Sequence, residues 1–464
     1  YEALRQRRNA YVLPGMVEMG AITQKQADAA VKEPIPVKVR PVSSGCASVA
    51  KNHWGFFCDY FYRWWLSQEA FGKTPYERER QLKTGGFRIV TSLDVKAQGA
   101  ARKEITTRIK DGNRNALLLA GVEPGTGQVR SLAANRKFKI DDPADPQNKL
   151  SSDPAKAAKG IRGTYPNTTN PIITGGGDIT GYQAGSVFKM FTMVAALENG
   201  LGLDTTINSP ERYRSGYRDS AAPPQCGGFY CPTNAAAGEA GNHNMWTGFG
   251  RSVNTYFVPL QERVGAEKVV DVAKRFGVQF RQAEDARLAD NLDYAHEWGA
   301  FTLGVSASTP LDIANAYATL AADGMYCAPT PIERITAQDG TTIDAGKPKC
   351  TRATTPEVAR KTLDAARCPL GDRAQLGSCA GSTAPAARGA VGHPIFGKTG
   401  TTDDDKTAAL VVGTQSLVVA GYLVNPDWAG HTDRMSHDIV NPAVYQTVAD
   451  YMRGKPQEEF KRPD

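Results

Sequence analysis

A mixed α+β fold is predicted by three features of the sequence. Two segments, "ALLLAGVEPGTGQVRSLAAN" from Ala116 and "AALVVGTQSLVVAGYLV" from Ala408, each read as two apolar strands joined by a turn. Stretches such as "EKVVDVAKRFG" and "PLDIANAYATLAADG" repeat apolar residues at helical spacing. Residues 140 to 182, rich in Asp, Pro, Asn, Thr and Gly, are expected to be a long loop region between these segments.

Bulk properties narrow the class. With 464 residues the chain can bury a large core and is expected to hold more than one domain. Its 41% hydrophobic and 22% charged residues are those of an ordinary globular protein. The net charge of +7 is mild and spread out, so nucleic acid is not an expected partner, while weak attraction to an anionic surface is allowed. No run is long and apolar enough to span a bilayer, since the best candidate is broken by Gly413-Thr414-Gln415. The chain opens at Tyr1 with neither a methionine nor a signal-like segment, and is expected to be a fragment whose targeting region is missing.

Taken in order, Tyr1 to about Pro36 is predicted helical, with Thr23-Gln24-Lys25-Gln26 as a capping box. The aromatic stretch "CASVAKNHWGFFCDYFYRWWL" is expected to form a small satellite core pinned by a disulfide. "GFRIVTSLD" from Gly86 reads as a strand and "VKAQGAARKEITTRI" as a helix. The first strand pair then turns at Glu123-Pro124-Gly125-Thr126-Gly127. Near the other end, the polar insertion from about Leu370 to Arg388 is expected to be an exposed loop. There is no internal repeat.

The eight cysteines fall into local couples without zinc-site spacing: Cys46 with Cys58, Cys226 with Cys231, Cys327 with Cys350, and Cys368 with Cys379. Disulfides in these pairs imply an oxidising, extracytoplasmic setting. Eight free thiols in a cytosolic enzyme are the alternative, because sequence does not fix connectivity. The six histidines are scattered without ligand spacing, so neither a metal nor an organic cofactor is expected.

The chemistry turns on "YQAGSVFKMFTMVAALENG", Tyr182 to Gly200. Val187, Met190, Phe191, Val194 and Leu197 mark a buried helical stripe, and Gly200 is placed to end it. Ser186 could simply cap this helix. A serine three residues before a lysine occurs by chance roughly once or twice in such a chain, and Ser48 with Lys51 is one such accident. A serine nucleophile also needs a base, a proton relay and donors for the oxyanion. Ser252-Val253-Asn254 and "GKTGTT", Gly397 to Thr402, could supply them. Each is weak alone: Ser252 could cap the next helix, and Lys83-Thr84-Gly85 is a second copy of the Lys-Thr-Gly. Their order decides, because Ser-x-x-Lys opening an apolar helix, then Ser-x-Asn, then Lys-Thr-Gly on a strand is a three-part signature.

These motifs, with "RSVNTYFVPLQERVGAEKVVDVAKRFGV", "LGVSASTPLDIANAYATLAADG" and "IFGKTGTTDDDKTAALVVG", resemble the transpeptidase region of class A, bifunctional penicillin-binding proteins. The resemblance runs from Gly86 nearly to the end. The opening "RQRRNAYVLPGMVEMGAITQKQADAAVKEP" is similar to the last helices of the preceding glycosyltransferase domain, and the segment at 46–58 to actinobacterial members. Ala184 and Met190 depart from the family, which commonly has proline at both positions; this bears on loop stiffness rather than on chemistry.

The resemblance implies an α+β fold of the penicillin-binding protein and serine β-lactamase kind: a five-stranded, mostly antiparallel sheet flanked by helices, plus an all-helical subdomain. It implies a division into residues 1–40 (tail of a glycosyltransferase domain), 41–110 (interdomain linker region) and 111–464 (transpeptidase domain). The implied activity is D,D-transpeptidation: cross-linking of peptidoglycan stem peptides through a serine acyl-enzyme formed from D-Ala-D-Ala termini and trapped by β-lactams. A D,D-carboxypeptidase or a penicillin-sensing binding domain is the alternative. A β-lactamase is disfavoured, because no Glu-x-x-Leu-Asn lies between Ser252 and Lys398. Glycosyltransferase activity is not expected.

By the same resemblance Ser186 is the nucleophile. Lys189 is its base, held neutral by burial and by Lys398. Ser252 relays the proton, and Asn254 holds the substrate amide and positions Lys189. Lys398, Thr399 and Thr401 take the terminal carboxylate, with Gly400 letting the peptide lie close. The backbone N–H groups of Ser186 and Thr401 form the oxyanion hole. The implied partners are donor and acceptor stem peptides and β-lactams. The implied location is the outer face of the bacterial plasma membrane, reached through a missing N-terminal anchor.

Overall fold

The computed structural model describes residues 2–35, 45–236 and 238–463. Tyr1 and Pro36, the predicted ends of the helical opening, lie outside the described residues, as do the boundary expected at 40 and 41 and the terminal Asp464. The chain divides into two compact units, Tyr1–Gly45 and Cys46–Asp464.

The first unit is helical over Glu2–Arg7, Arg8–Val12, Leu13–Glu18 and Gln24–Lys32. The capping box forms as expected: the Thr23 hydroxyl accepts from the Gln26 N–H at 3.3 Å, and the Gln26 side chain accepts from the Thr23 N–H at 2.8 Å.

In the second unit the main helices are α1 (Val95–Arg108), α2 (Lys189–Glu198), α3 (Met245–Arg251), α4 (Asn254–Val264), α5 (Ala266–Arg275), α6 (Pro310–Ala321), α7 (Pro356–Ala366) and α8 (His437–Met452). The sheet strands are β1 (Ala116–Val122), β2 (Val129–Ala134), β3 (Phe396–Thr401), β4 (Ala408–Gly413) and β5 (Val418–Val424). They pair in the order β3-β4-β5-β1-β2, every neighbour antiparallel. The two predicted strand pairs thus become one sheet by joining β5 to β1.

Strand periodicity explains why β1, β4 and β5 read as unbroken apolar runs. Side chains alternate between the two faces of a strand, and here both faces are covered. Leu117, Leu119, Leu410, Val412 and Val419 meet Ala97, Ala101 and Ile105 of α1 and Val440, Val444 and Val448 of α8 in one core. Leu118, Ala120, Val411, Ala420 and Tyr422 meet Ile313, Ala316 and Tyr317 of α6 in the other. Each such fully buried large side chain contributes about 1.5–3 kcal/mol.

On the α6 side, α2 packs against α4, α5 and α7. Its expected stripe is surrounded: Met190, Phe191, Met193, Val194, Ala195 and Ala196 are all buried, as in a helix enclosed on every side. A smaller sheet pairs Arg88–Thr91 with Ile332–Thr336. The expected satellite core exists there, but only Trp65 of the aromatic stretch is fully buried in it, with Phe71, Ile332 and Ile335. Phe56 and Phe57 join the main core instead, where Phe56 packs edge-on against Phe138. All four expected disulfides are formed.

The insertion from Leu370 to Arg388 is not simply an exposed loop. The Asp372 carboxylate is buried and accepts from Arg367 Nε at 3.2 Å, Arg388 Nε at 3.2 Å, and the N–H groups of Arg373 at 2.8 Å and Ile395 at 3.0 Å. These bonds pin both the insertion and the residue that leads into β3. Removing one partner of a buried pair leaves an uncompensated charge, here that of buried Arg367. Asp372→Ala should therefore lower stability by about 3–5 kcal/mol, read as a fall in the urea midpoint.

Candidate active site

Gly185 sets the entry to the site. At φ +63° it turns the chain so sharply that residues Gly185–Phe188 form a single 3-10 turn ahead of α2. Ser186 lies inside that turn and is not the helix cap considered from sequence. Its backbone carbonyl accepts from the Lys189 N–H, and the residue lines the cleft. The hydroxyl is free to face the cleft.

Lys189 is the first residue of α2 and is fully buried. Its Nζ donates to Ser252 O at 2.5 Å and to Asn254 Oδ1 at 2.6 Å, and lies 3.2 Å from Ser252 Oγ. Ser252 does not cap the next helix either. It ends α3 in the left-handed region at φ 64°, a conformation that costs a residue with a Cβ and that places its hydroxyl beside the lysine. Asn254 opens α4, and its Nδ2 donates to Thr233 O at 2.8 Å, which fixes the amide so that Oδ1 faces Lys189.

The third motif lies on β3, the edge strand of the sheet. Lys398 is fully buried, with Nζ donating to Thr399 O at 3.0 Å and lying 5.5 Å from the centre of the Phe249 ring. Thr399 Oγ1 donates to Thr383 Oγ1 at 2.7 Å, and Thr401 Oγ1 is 2.8 Å from His437 Nε2. Gly400 does not line the cleft; a Cβ there would fall on the Ala184 carbonyl, so glycine lets β3 close onto the Ser186 turn.

Ser186, Ser252, Asn254, Thr399 and Thr401 line one cleft of about 540 Å³, with Lys189 and Lys398 in its wall. The sequence-predicted residues are thus brought together. The decoys are not: Lys83 and Thr84 end a helix, and Ser48 lies in an isolated turn. Burial holds the Lys189 amine well below the ordinary lysine range, the charge of Lys398 pushes it further down, and Glu239 partly opposes both. Burial brings Lys398 to about 7, again against Glu239. Among the described residues no three His, Cys, Asp or Glu side chains converge as a metal ion requires.

Residues 121–432 match the family described as penicillin binding protein transpeptidase domain. The chain belongs to that family. Penicillin-binding protein 2D of Bacillus subtilis is 24% identical over 469 residues, covering 100% of this chain and 58% of that protein. Penicillin-binding protein 1A of Mycobacterium tuberculosis is 26% identical over 420 residues, covering 88% of this chain and 43% of that one. The chain spans about half the length of the curated relatives it matches. In fold it is similar to the PonA1 protein of Mycobacterium tuberculosis solved with penicillin V, with a TM-score of 0.60 and 23% identity over 83% of this chain and 91% of that one. Penicillin-Binding Protein 1A of Haemophilus influenzae gives 0.67 at 16% identity, over 99% and 78%.

Within this penicillin-binding protein transpeptidase domain, the cleft also contains residues that motif reading passed over. Glu239, Thr383 and His437 line it. Glu239 sits in a loop of Ala, Gly and Asn, and Thr383 in the small-residue insertion, so no local signal marks either. His437 is one of the scattered histidines, reaching Thr401 only because α8 packs over the sheet.

The buried lysines leave a signature in stability. Between about pH 7 and the ordinary lysine value of 10.5, the folded chain has released the Lys398 proton while the unfolded chain keeps it. Stability therefore rises with pH across this window. Lys398→Met should flatten that rise by up to about 1.4 kcal/mol per pH unit, measured by denaturant unfolding at several pH values.

Proposed function

We propose that this domain is a serine D,D-transpeptidase that cross-links peptidoglycan stem peptides. The observation that carries the proposal is the Lys189 amine: buried, held well below the ordinary lysine range by its surroundings, and shared between Ser252 and Asn254 one turn beyond Ser186. A neutral amine has two N–H donors and one lone pair. The two carbonyl acceptors, Ser252 O and Asn254 Oδ1, take the donors, and the lone pair is left to accept a proton from a hydroxyl.

Ser186 Oγ attacks the carbonyl of the penultimate D-Ala, and Lys189 takes its proton. The N–H groups of Ser186 and Thr401 stabilise the oxyanion, a contribution worth about 10²–10³ in rate. Ser252 passes the proton to the leaving amine, D-alanine departs, and an acyl-enzyme remains. Lys398, Thr399 and Thr401 hold the terminal carboxylate while Asn254 holds the substrate amide. An amine from a neighbouring stem peptide then takes the acyl group. A β-lactam mimics the donor and stays on Ser186.

The wider setting follows from the same reading. Residues 1–40 are the tail of a glycosyltransferase domain, 41–110 an interdomain linker region and 111–464 the transpeptidase domain. The protein works at the extracytoplasmic face of the bacterial plasma membrane. Four disulfides fit that oxidising side.

The test is intact-protein mass after incubation with benzylpenicillin, for this chain and for Ser186→Ala. The expected result is a stable adduct of one drug mass that the substitution abolishes. Rapid turnover without accumulation would make the protein a hydrolase, and no adduct at all would end the reading. Gly400→Ala, which forces β3 away from the Ser186 turn, should slow adduct formation about 100-fold, the cost of a displacement near 1 Å at a reacting centre.

A further inference from the structure

Glu239 lines the same cleft as Ser186, Ser252 and Asn254. Its Oε2 is shielded from solvent and has no hydrogen-bond partner among the described residues. A shielded carboxylate oxygen without a donor is costly, which marks it for a partner that arrives with the ligand. The residue is also held in place. His243 Nε2 donates to the Glu239 carbonyl at 2.9 Å, and His243 Nδ1 lies 3.2 Å from the Thr247 hydroxyl, in the first turn of the helix that ends on Ser252. Both lysine amines have their hydrogen bonds elsewhere, yet both feel the Glu239 charge.

The proton count of the second half-reaction leaves a role unfilled. An acceptor amine arrives at neutral pH as an ammonium with three protons, and the amide it forms keeps one. When the amine nitrogen attacks the acyl-enzyme, a C–N bond forms and the bond from carbon to Ser186 Oγ breaks. One of the two surplus protons passes through Lys189 and Ser252 to Ser186 Oγ. The other must leave before the attack, since an ammonium has no lone pair. Lys189 has at most one lone pair and cannot take both.

We propose that Glu239 is the acceptor-selecting residue of this site: its carboxylate binds the incoming ammonium and takes the first proton, which it later releases to solvent. The proposal rests on the acyl-enzyme reading above.

The experiment uses an acyl-D-alanyl thioester as donor and measures how the acyl-enzyme divides between water and an added amine. That ratio is internal to each acylated molecule, so it does not depend on how much protein is folded. Two probes are compared: ethanolamine, cationic at neutral pH, and hydroxylamine, uncharged there. Glu239→Gln should lower the amine-to-water ratio for ethanolamine about tenfold or more, the worth of one hydrogen bond to a charged group. The ratio for hydroxylamine should hold, and Glu239→Asp should restore part of the ethanolamine ratio. An unchanged ethanolamine ratio in Glu239→Gln, or an equal fall for both amines, would overturn the proposal while leaving the transpeptidase reading intact. Absence of the benzylpenicillin adduct in the unsubstituted chain would overturn both.

Discussion

The structure depends on keeping two amines out of water. Lys189 and Lys398 are both fully buried in the wall of one cleft, where burial disfavours the charge on each and the charge of one disfavours that of the other. An exposed lysine is protonated near neutral pH and has no lone pair to offer. The core around α2 and the aromatic rings of Phe249 and Phe257, each within about 6 Å of one amine, keep water away from both. The large apolar core on the α6 side of the sheet is thus part of the site: it weakens the hold of both amines on their protons.

That burial is possible only because three separated segments close tightly on one another. Glycine at 185 lets the chain turn into the Ser186 segment, and glycine at 400 lets β3 lie against it without a side chain between them. Ser252 takes a left-handed conformation that a serine adopts only when its surroundings require it. Strain in the backbone at Ser252 is offset by the two bonds that the Lys189 amine makes there, one to the carbonyl and one to the hydroxyl. The edge position of β3 completes the arrangement, since no further strand pairs with it and the Ser186 turn packs against it instead.

What was legible in the sequence follows from what is local. The two strand pairs and the apolar helix after Ser186 are set by patterns within short windows, the near-neighbour cysteines suggest their own pairing without fixing it, and each is found. The three motifs were identifiable because their order along the chain carries information that none has alone. The joining of β5 to β1, by contrast, links residues about three hundred positions apart, as Leu423 opposite Leu117 shows, and no window contains it. Ser186 was ambiguous for a physical reason: a serine before an apolar helix caps it in most settings, and only the positive φ of Gly185 turns it into the body of a 3-10 turn. Glu239, Thr383 and His437 have ordinary neighbours in sequence and acquire meaning only from the opposite walls of the cleft.

The same contrast explains why a loop as polar as 371–388 can serve a site that needs fixed geometry. Sites on loops are usually less exact than sites on strands and helices. Here the loop is tied at both ends. The Cys368–Cys379 disulfide closes its first half, and Asp372 binds two arginines together with the N–H of Ile395, the residue that enters β3. Thr383 is thereby held where its hydroxyl accepts from Thr399, and Thr399 in turn presents its carbonyl to the buried Lys398 amine. The wall of the cleft is continuous from an ion pair in the loop to the lysine in the strand. A polar, irregular segment therefore contributes rigidity through its buried charges.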